Sequence, residues 1–345
     1  MIKVAMLSFW HVHARDYARQ ASEHPDTQIV AVWDEIPERG REEAEARGAR
    51  FYESLQDLLA DPEIDAVIVD TPTRLHKEVI VAAAEAGKHI FTEKVIAPSL
   101  LEANEILAAV RQAGVRFTIS LPRLYTDYTG AFRKIVEQGL LGQITLIRAR
   151  LSHSGGLSTE QNPEGWLPDH FYNAEQCGGG AMIDLGCHPM YLTRLLLGMP
   201  ESVSATYGYV TGREVEDNAV SVLQYKNGAV GIVEAGFVNP HSPFVLEVHG
   251  TSGSLLYSEH DLKLLVRSTL QADGGGAWEH RANLPTAQPS AFDQWVEHIL
   301  QGAEEAQGEL EVENVQLAMD LTRLMEASNL SASRREAVRI DSLKA

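Results

Sequence analysis

The chain opens MIKVAMLSFWHVHARDYARQ (residues 1–20), and the reading of LSFWHVHA (7–14) decides its fold. An apolar run suited to a buried strand ends at Ser8, and a helical pattern begins near His13. Strand, tight turn and helix open a dinucleotide-binding unit. Such a unit carries small residues at the turn for three reasons: a sharp bend, close approach of backbone to a pyrophosphate, and packing of helix on strand. Here Ser8, Trp10 and His13 stand where glycines belong, with Phe9 and His11 between them. Trp10 needs room where a diphosphate would pass, and we place it as a cap on the diphosphate from outside. Ala14 can still supply the close helix packing. The helix N-terminus keeps its N–H groups and its positive dipole end. The expectation is a rewritten cofactor turn made by Ser8, Phe9, Trp10, His11 and His13.

The second half of this unit is intact. The run IVAVWD ends at Asp34, 20 residues beyond Ala14. An acid there is placed to accept hydrogen bonds from an adenosine ribose; the alternative is an ordinary loop acid. Glu35 follows, and no Arg or Ser is read at that point to receive a 2′-phosphate, so NAD is favoured over NADP.

Apolar, β-branched runs recur at 3–7, 29–33, 65–70, 88–94 and 115–120, with helical patterns between them. Residues 75–87 end at Gly87. Residues 99–114 start with Ser99 as N-cap, carry Glu102 three residues later and end at Gly114. Near-continuous apolar strands alternating with helices imply a parallel sheet covered on both faces. We assign 1–121 to an α/β, doubly wound Rossmann domain. Beyond 121 the texture changes. A helical stretch at 126–138 ends at Gly139, and alternating segments follow, with Asn227–Gly228 as a hairpin signal. Residues 122–345 read as an α+β domain with a large open, mostly antiparallel sheet. Within it, 272–290 read as a long loop, and 291–328 as helical with a loop near 302–311.

With 345 residues, two domains are the prior. The net charge of −19 disfavours nucleic acid and anionic membrane surfaces. No apolar run reaches transmembrane length, and the N-terminus lacks a signal-peptide build. Cys177 and Cys187 could pair, but reduced thiols in a cytoplasmic protein are the simpler reading.

Several stretches carry chemistry. His11 and His13 form a His-x-His pair, but no Cys or carboxylate nearby in sequence completes a metal set, so no metal is assigned. DTPTRLHKE (70–78), with Thr71, Pro72 and His76, follows a strand end, where open α/β sheets bind ligands. FTEKV (91–95) places Glu93 and Lys94 at a buried strand terminus, where Lys is seldom found without a partner or a task; a surface ion pair is the alternative. In GGGAMIDLGCHPMYLTRLLLG (178–198), Asp184 and His188 are four apart and share a helix face. The alternative there is helix capping and an exposed His.

Together these stretches resemble the glucose-fructose oxidoreductase / inositol dehydrogenase (Gfo/Idh/MocA) family, over nearly the whole chain. DTPTRLH is similar to that family's TP-x-x-x-H segment, and AAAEAGKHIFTEK to its AGKH-x-x-x-EK signature. GGGAMIDLGCH is similar to its GG-x-x-x-D-x-G-x-H signature, and GTSGSLL (250–256) to its late G-x-x-G turn. The resemblance implies a nicotinamide-dependent sugar dehydrogenase with its active site between two domains. It implies Lys94, Asp184 and His188 as the polar trio, and Glu93 and His76 near the nicotinamide and its ribose. A homodimer or homotetramer through the C-terminal sheet is also implied. The sequence departs from the family at the glycine-free turn and at EKV, where Val95 replaces proline and loses a rigid turn.

Chemistry then assigns roles. His188 serves as general base toward a secondary hydroxyl, Lys94 stabilises the developing alkoxide, and Asp184 orients His188 or holds a second hydroxyl and favours the imidazolium. Arg123, Tyr125 and the segment NPEGWLPDHFYN (162–173), with Trp166, His170 and Tyr172, are the expected sugar contacts; the aromatics could equally anchor a loop. Two other activities fit the same pattern. One is a catalytically silent sugar-binding sensor; the other is a lyase or epimerase that holds and recycles NAD.

Overall fold

The computed structural model describes residues 1–270, 276–302 and 309–343. They form two units. The first comprises Met1–Leu121 with Pro289–Met319, and the second comprises Pro122–Gln288 with the chain from Asp320 on.

The first unit is built on a six-stranded sheet in the order β3-β2-β1-β4-β5-β6. The strands are β1 (Ile2–Leu7), β2 (Thr27–Trp33), β3 (Arg50–Phe51), β4 (Ala66–Val69), β5 (His89–Thr92) and β6 (Phe117–Ile119). All neighbours pair in parallel. Between them run α1 (Ala14–Glu23), α2 (Pro37–Arg47), α3 (Leu55–Ala60), α4 (His76–Glu85) and α5 (Leu100–Ala113). Strand β4 (AVIV) is fully buried, as a strand covered on both faces must be. The Ser99 hydroxyl accepts the Glu102 amide at 3.3 Å, and Gly114 ends α5 at φ 67°. Both are local signals that act where the sequence places them. Strand order reverses between β1 and β4, so the turns after their carboxyl ends, from Ser8 and from Asp70, flank a crevice of the kind in which such sheets bind ligands.

Residues 289–319, placed with the second domain on sequence, belong to the first unit. The Asn314 side chain accepts the Ile119 N–H at 3.0 Å and donates to the Ile119 carbonyl at 2.9 Å. It thereby completes the open side of the edge strand β6, whose backbone groups would otherwise lack partners. Arg116 pairs with the buried Glu311 at 3.2 Å.

The second unit carries α6 (Asp127–Glu137), β7 (Ile144–Ser152), α7 (Ala174–Cys177), α8 (Ala181–Asp184) and α9 (Cys187–Leu197). The strands β8 (Ser202–Gly208), β9 (Asn218–Gln224), β10 (Val230–Gly236), β11 (Val245–Gly250), β12 (Gly253–Ser258), β13 (Lys263–Ser268) and β14 (Glu279–His280) follow. With β15 (Val338–Arg339) they make a nine-stranded sheet in the order β14-β13-β12-β11-β7-β10-β9-β8-β15. Only the β7–β10 pairing among these is parallel. The Asn227–Gly228 turn joins β9 to β10, with Gly228 at φ 85°. Helices α10 (Ala291–Gln301) and α11 (Glu309–Arg334) complete the chain, and α11 gives its residues up to Met319 to the first unit and the rest to the second.

Of the loop expected at 272–290, residues 272–275 lie outside the described residues, and the remainder includes the short edge strand β14. Residues 303–308 of the loop expected near 302–311 also lie outside them. Among the described residues no helix is long and apolar enough to cross a membrane, and Cys177 and Cys187 form no disulfide.

Candidate functional site

The turn after β1 replaces glycine geometry with side-chain bonding. Ser8 adopts φ 78°, a conformation L residues seldom take. Its hydroxyl accepts the Trp10 amide at 3.0 Å, and the Phe9 amide donates to Asp34 Oδ2 at 2.9 Å. The His11 amide donates to the Asp70 carbonyl at 3.2 Å and the His13 amide to His11 Nδ1 at 3.2 Å. These four donors are therefore committed inside the protein and do not form a pyrophosphate cradle. Trp10 is buried, not an exposed cap. Phe9 is buried too, with the Arg47 guanidinium 4.7 Å from its ring centre.

Asp34 stands where the sequence places it, but its carboxylate is fully used. It accepts from Phe9, from the Ile36 amide at 2.8 Å, and from Arg39 Nε and a terminal nitrogen at 2.8 and 2.7 Å. Those bonds fill its lone-pair positions, so a ribose would have to displace one of them. An Arg does reach this strand end, contrary to the sequence reading. Arg39 arrives from the first turn of α2 and also holds Glu35 at 2.7 Å and Ser8 Oγ at 3.3 Å.

Across the crevice, Glu93 gathers partners distant in sequence. Its Oε1 lies 2.5 Å from His13 Nδ1, 2.7 Å from Tyr17 Oη and 3.5 Å from His11 Nδ1. Tyr17 Oη is also 2.7 Å from Ser120 Oγ. The sequence reading found no carboxylate near His11 and His13; the fold supplies one. Burial works to raise the Glu93 carboxyl, but the His11, His13 and Lys94 charges outweigh it and hold it well below its usual range. Asp70 goes the other way, pushed well up by burial and then by the Glu93 charge. The two carboxyls of this crevice are thus pushed in opposite directions. Lys94 is buried beside Glu93, whose Oε2 accepts the Lys94 amide at 2.5 Å. The Lys94–Val95 peptide bond is cis although Val95 replaces the family's proline.

His76 does not face a ligand freely. Its Nδ1 lies 2.9 and 3.1 Å from the Val95 and Ile96 carbonyls, and its Nε2 lies 3.2 Å from the Thr71 carbonyl. Burial lowers its pKa and favours the neutral ring. It ties the segment after β4, where Pro72 begins a short 3-10 turn, to the one after β5.

In the second unit, α8 ends at Asp184 and α9 begins at Cys187, so Asp184 and His188 occupy consecutive helical turns. Glu216, which sequence reasoning missed, builds their support. Its carboxylate accepts the Gly180 amide at 2.9 Å and the Met182 amide at 3.0 Å, and burial pushes it up to about 7. A Cβ on Gly180 would lie 2.1 Å from the Glu216 carbonyl, so the glycine admits a neighbouring backbone, not a ligand. Buried His188 has Nδ1 3.4 Å from Tyr191 Oη, a second missed residue, which accepts the Arg123 amide at 2.9 Å.

The expected substrate contacts divide. Arg123 bonds Glu259 at 2.6 Å and Tyr128 Oη at 2.9 Å and covers the Phe244 ring at 4.1 Å, so its guanidinium is held by protein partners. Tyr125 is buried, and its carbonyl accepts the Gln288 amide at 2.9 Å. Trp166 is half exposed, with its ring centre 4.6 Å from that of His153, and His153 stacks on Phe237 at 5.1 Å. Tyr172 meets Phe237 edge-on at 5.9 Å, beneath the Arg213 guanidinium at 3.8 Å. His170 lies against Phe171 at 5.1 Å.

A dinucleotide fits part of this set. Both Asp70 carboxyl oxygens and Thr71 Oγ1 are buried with no hydrogen-bond partner among the described residues. Buried acceptors left this way are costly, and hydroxyl donors such as those of a ribose would satisfy them.

Residues 4–121 match the model of an oxidoreductase family with an NAD-binding Rossmann fold, and residues 130–256 match a Gfo/Idh/MocA C-terminal domain. The chain is 30% identical over 247 residues to a 1,5-anhydro-D-fructose reductase of Ensifer adhaerens, covering 70% of this chain and 72% of that protein. It is 29% identical over 239 residues to an NAD-dependent scyllo-inositol 2-dehydrogenase of Bacillus subtilis, covering 67% and 66%. The solved structure of levoglucosan dehydrogenase with NADH and levoglucosan superposes with a TM-score of 0.78 at 22% identity, covering 98% and 99% of the chains.

Proposed function

The chain belongs to the Gfo/Idh/MocA oxidoreductase family, and from that premise we propose that it is an NAD-dependent dehydrogenase acting on a secondary alcohol of a sugar, inositol or related polyol. The observation that carries this reading is the buried Glu93–Lys94 pair at the end of β5, together with the Asp70 carboxyl and Thr71 hydroxyl, which have no hydrogen-bond partner among the described residues. Two relatives named for cyclic polyhydroxylated compounds support the substrate class.

NAD supplies the hydride acceptor. Asp70 and Thr71 accept its ribose hydroxyls, and Glu93 keeps its charge close to them. The Asp34–Glu35–Arg39 cluster contains two acids against one base. It opposes a 2′-phosphate, which favours NAD over NADP. His188 takes the proton of the substrate hydroxyl, and Tyr191 fixes the ring that does so. The Lys94 ammonium donates to the same oxygen and stabilises its developing charge. Asp184, one turn before His188, favours the imidazolium. The half-exposed Trp166 offers an apolar face to a sugar ring.

The test is a screen of hexoses, inositols and sugar acids with NAD and with NADP, followed at the absorbance of reduced nicotinamide. We expect turnover with at least one cyclic polyol and preference for NAD. No reduction with any polyol, despite measurable NAD binding, refutes the dehydrogenase reading.

A further inference from the structure

We propose that His11, His13 and Glu93 form a binding site for one divalent transition-metal ion of the zinc class. One donor atom from each of these residues lies within 4.8 Å of the others. Donors bonded to a common ion at about 2.0–2.2 Å stand about 3–4 Å apart, so sub-ångström to ångström side-chain adjustments complete the set. The Glu93 Oε1 to His11 Nδ1 distance of 3.5 Å already lies in that range, and the 2.5 Å hydrogen-bond distance to His13 Nδ1 would open on ligation. Ligation through His11 Nδ1 would displace the 3.2 Å contact from the His13 amide.

The donor chemistry is selective. Two imidazoles and one carboxylate, with no thiolate, suit Zn²⁺, Co²⁺ or Mn²⁺ and do not suit calcium, which takes oxygen ligands. Three protein donors leave a tetrahedral ion one open position, the pattern of reactive and not structural zinc sites. The surroundings favour a cation independently. Tyr17 Oη, 2.7 Å from Glu93 Oε1, orients the carboxylate from outside the set. His13 is partly exposed, which gives an ion a path in. The site goes beyond the proposed hydride transfer and does not depend on it.

The experiment uses the full chain, stripped with a chelator, with neither NAD nor substrate. Titration with Co²⁺ read by visible ligand-field absorption, and with Zn²⁺ by calorimetry, should give one equivalent per chain. His11→Ala and Glu93→Gln should each weaken binding at least about 100-fold, since loss of even an outer-shell partner costs 10–100-fold. His260→Ala, at an exposed histidine, should leave binding unchanged. Should a variant fail to fold, X-ray absorption on the zinc-loaded unaltered chain decides instead. Two imidazole nitrogens and a carboxylate oxygen are expected; a shell containing sulfur, or oxygen alone, overturns the proposal. Absence of a one-equivalent transition, or binding that persists equally in both site variants, also overturns it.

Discussion

Glu216 offers a test whose size follows from the structure. It is buried and accepts the Gly180 and Met182 amides, anchoring the segment that leads to Asp184 and His188. Burial raises its carboxyl from 4.5 to about 7. A raised carboxyl means the folded protein binds the proton more tightly than the unfolded chain. Its stabilising contribution is therefore complete below 4.5 and is lost as pH rises through about 7. The difference is worth about 3 kcal/mol between those limits. For a unit of this size that corresponds to about 6–12 °C in melting temperature. Scanning calorimetry of the unaltered chain and Glu216→Gln, from pH 5 to 8, isolates the effect, because every other titrating group is common to both. Gln gives up one of the two amide bonds at a constant cost of about 1 kcal/mol, which offsets the curve without tilting it. From pH 5 to 8 the linked loss comes to about 2.5 kcal/mol, so the unaltered chain should lose about 5–10 °C more than the variant across this range. Parallel curves would refute the raised carboxyl and the anchoring built on it.

Other outcomes follow from the same geometry. His188→Ala should lower kcat by about 10²–10⁴-fold, measured in steady state on the polyol found by screening. Arg123→Ala should reduce stability by about 2–4 kcal/mol through loss of the Glu259 pair and the Phe244 contact, while KM for substrate stays within about twofold if the residue is structural. Asn314→Leu should cost about 2–4 kcal/mol in denaturant unfolding, because it strands the Ile119 N–H and carbonyl.

What the sequence made legible was local. Ser99 and Gly114 bound their helix, Gly228 turns its hairpin, and the apolar runs become β1, β2, β4, β5 and β6, because each signal acts within a few residues. β3 escaped because two residues carry no periodicity. The packing of 289–319 with the first unit escaped because Asn314 acts on Ile119 across 195 positions. At the site, Lys94 and Glu93 were visible as ionisable residues closing an apolar strand. The joining of Glu93 to His13, 80 positions away, was not, because it depends on parallel strand order. Arg39 was legible in principle: five residues past Asp34, it lies in the first turn of α2, within reach back to the strand end. Glu216 gave no signal, since its role depends on which backbone it meets.

The central claim is that the first unit holds NAD although its opening turn commits the Phe9, Trp10, His11 and His13 amides internally. Calorimetric titration of the full chain with NADH, alongside Asp70→Leu, tests it most directly. The account predicts saturable binding tighter than about 100 µM, weakened at least about tenfold when the partnerless carboxyl is removed. Absence of saturable binding in the intact chain, or equal affinity in the variant, would contradict it.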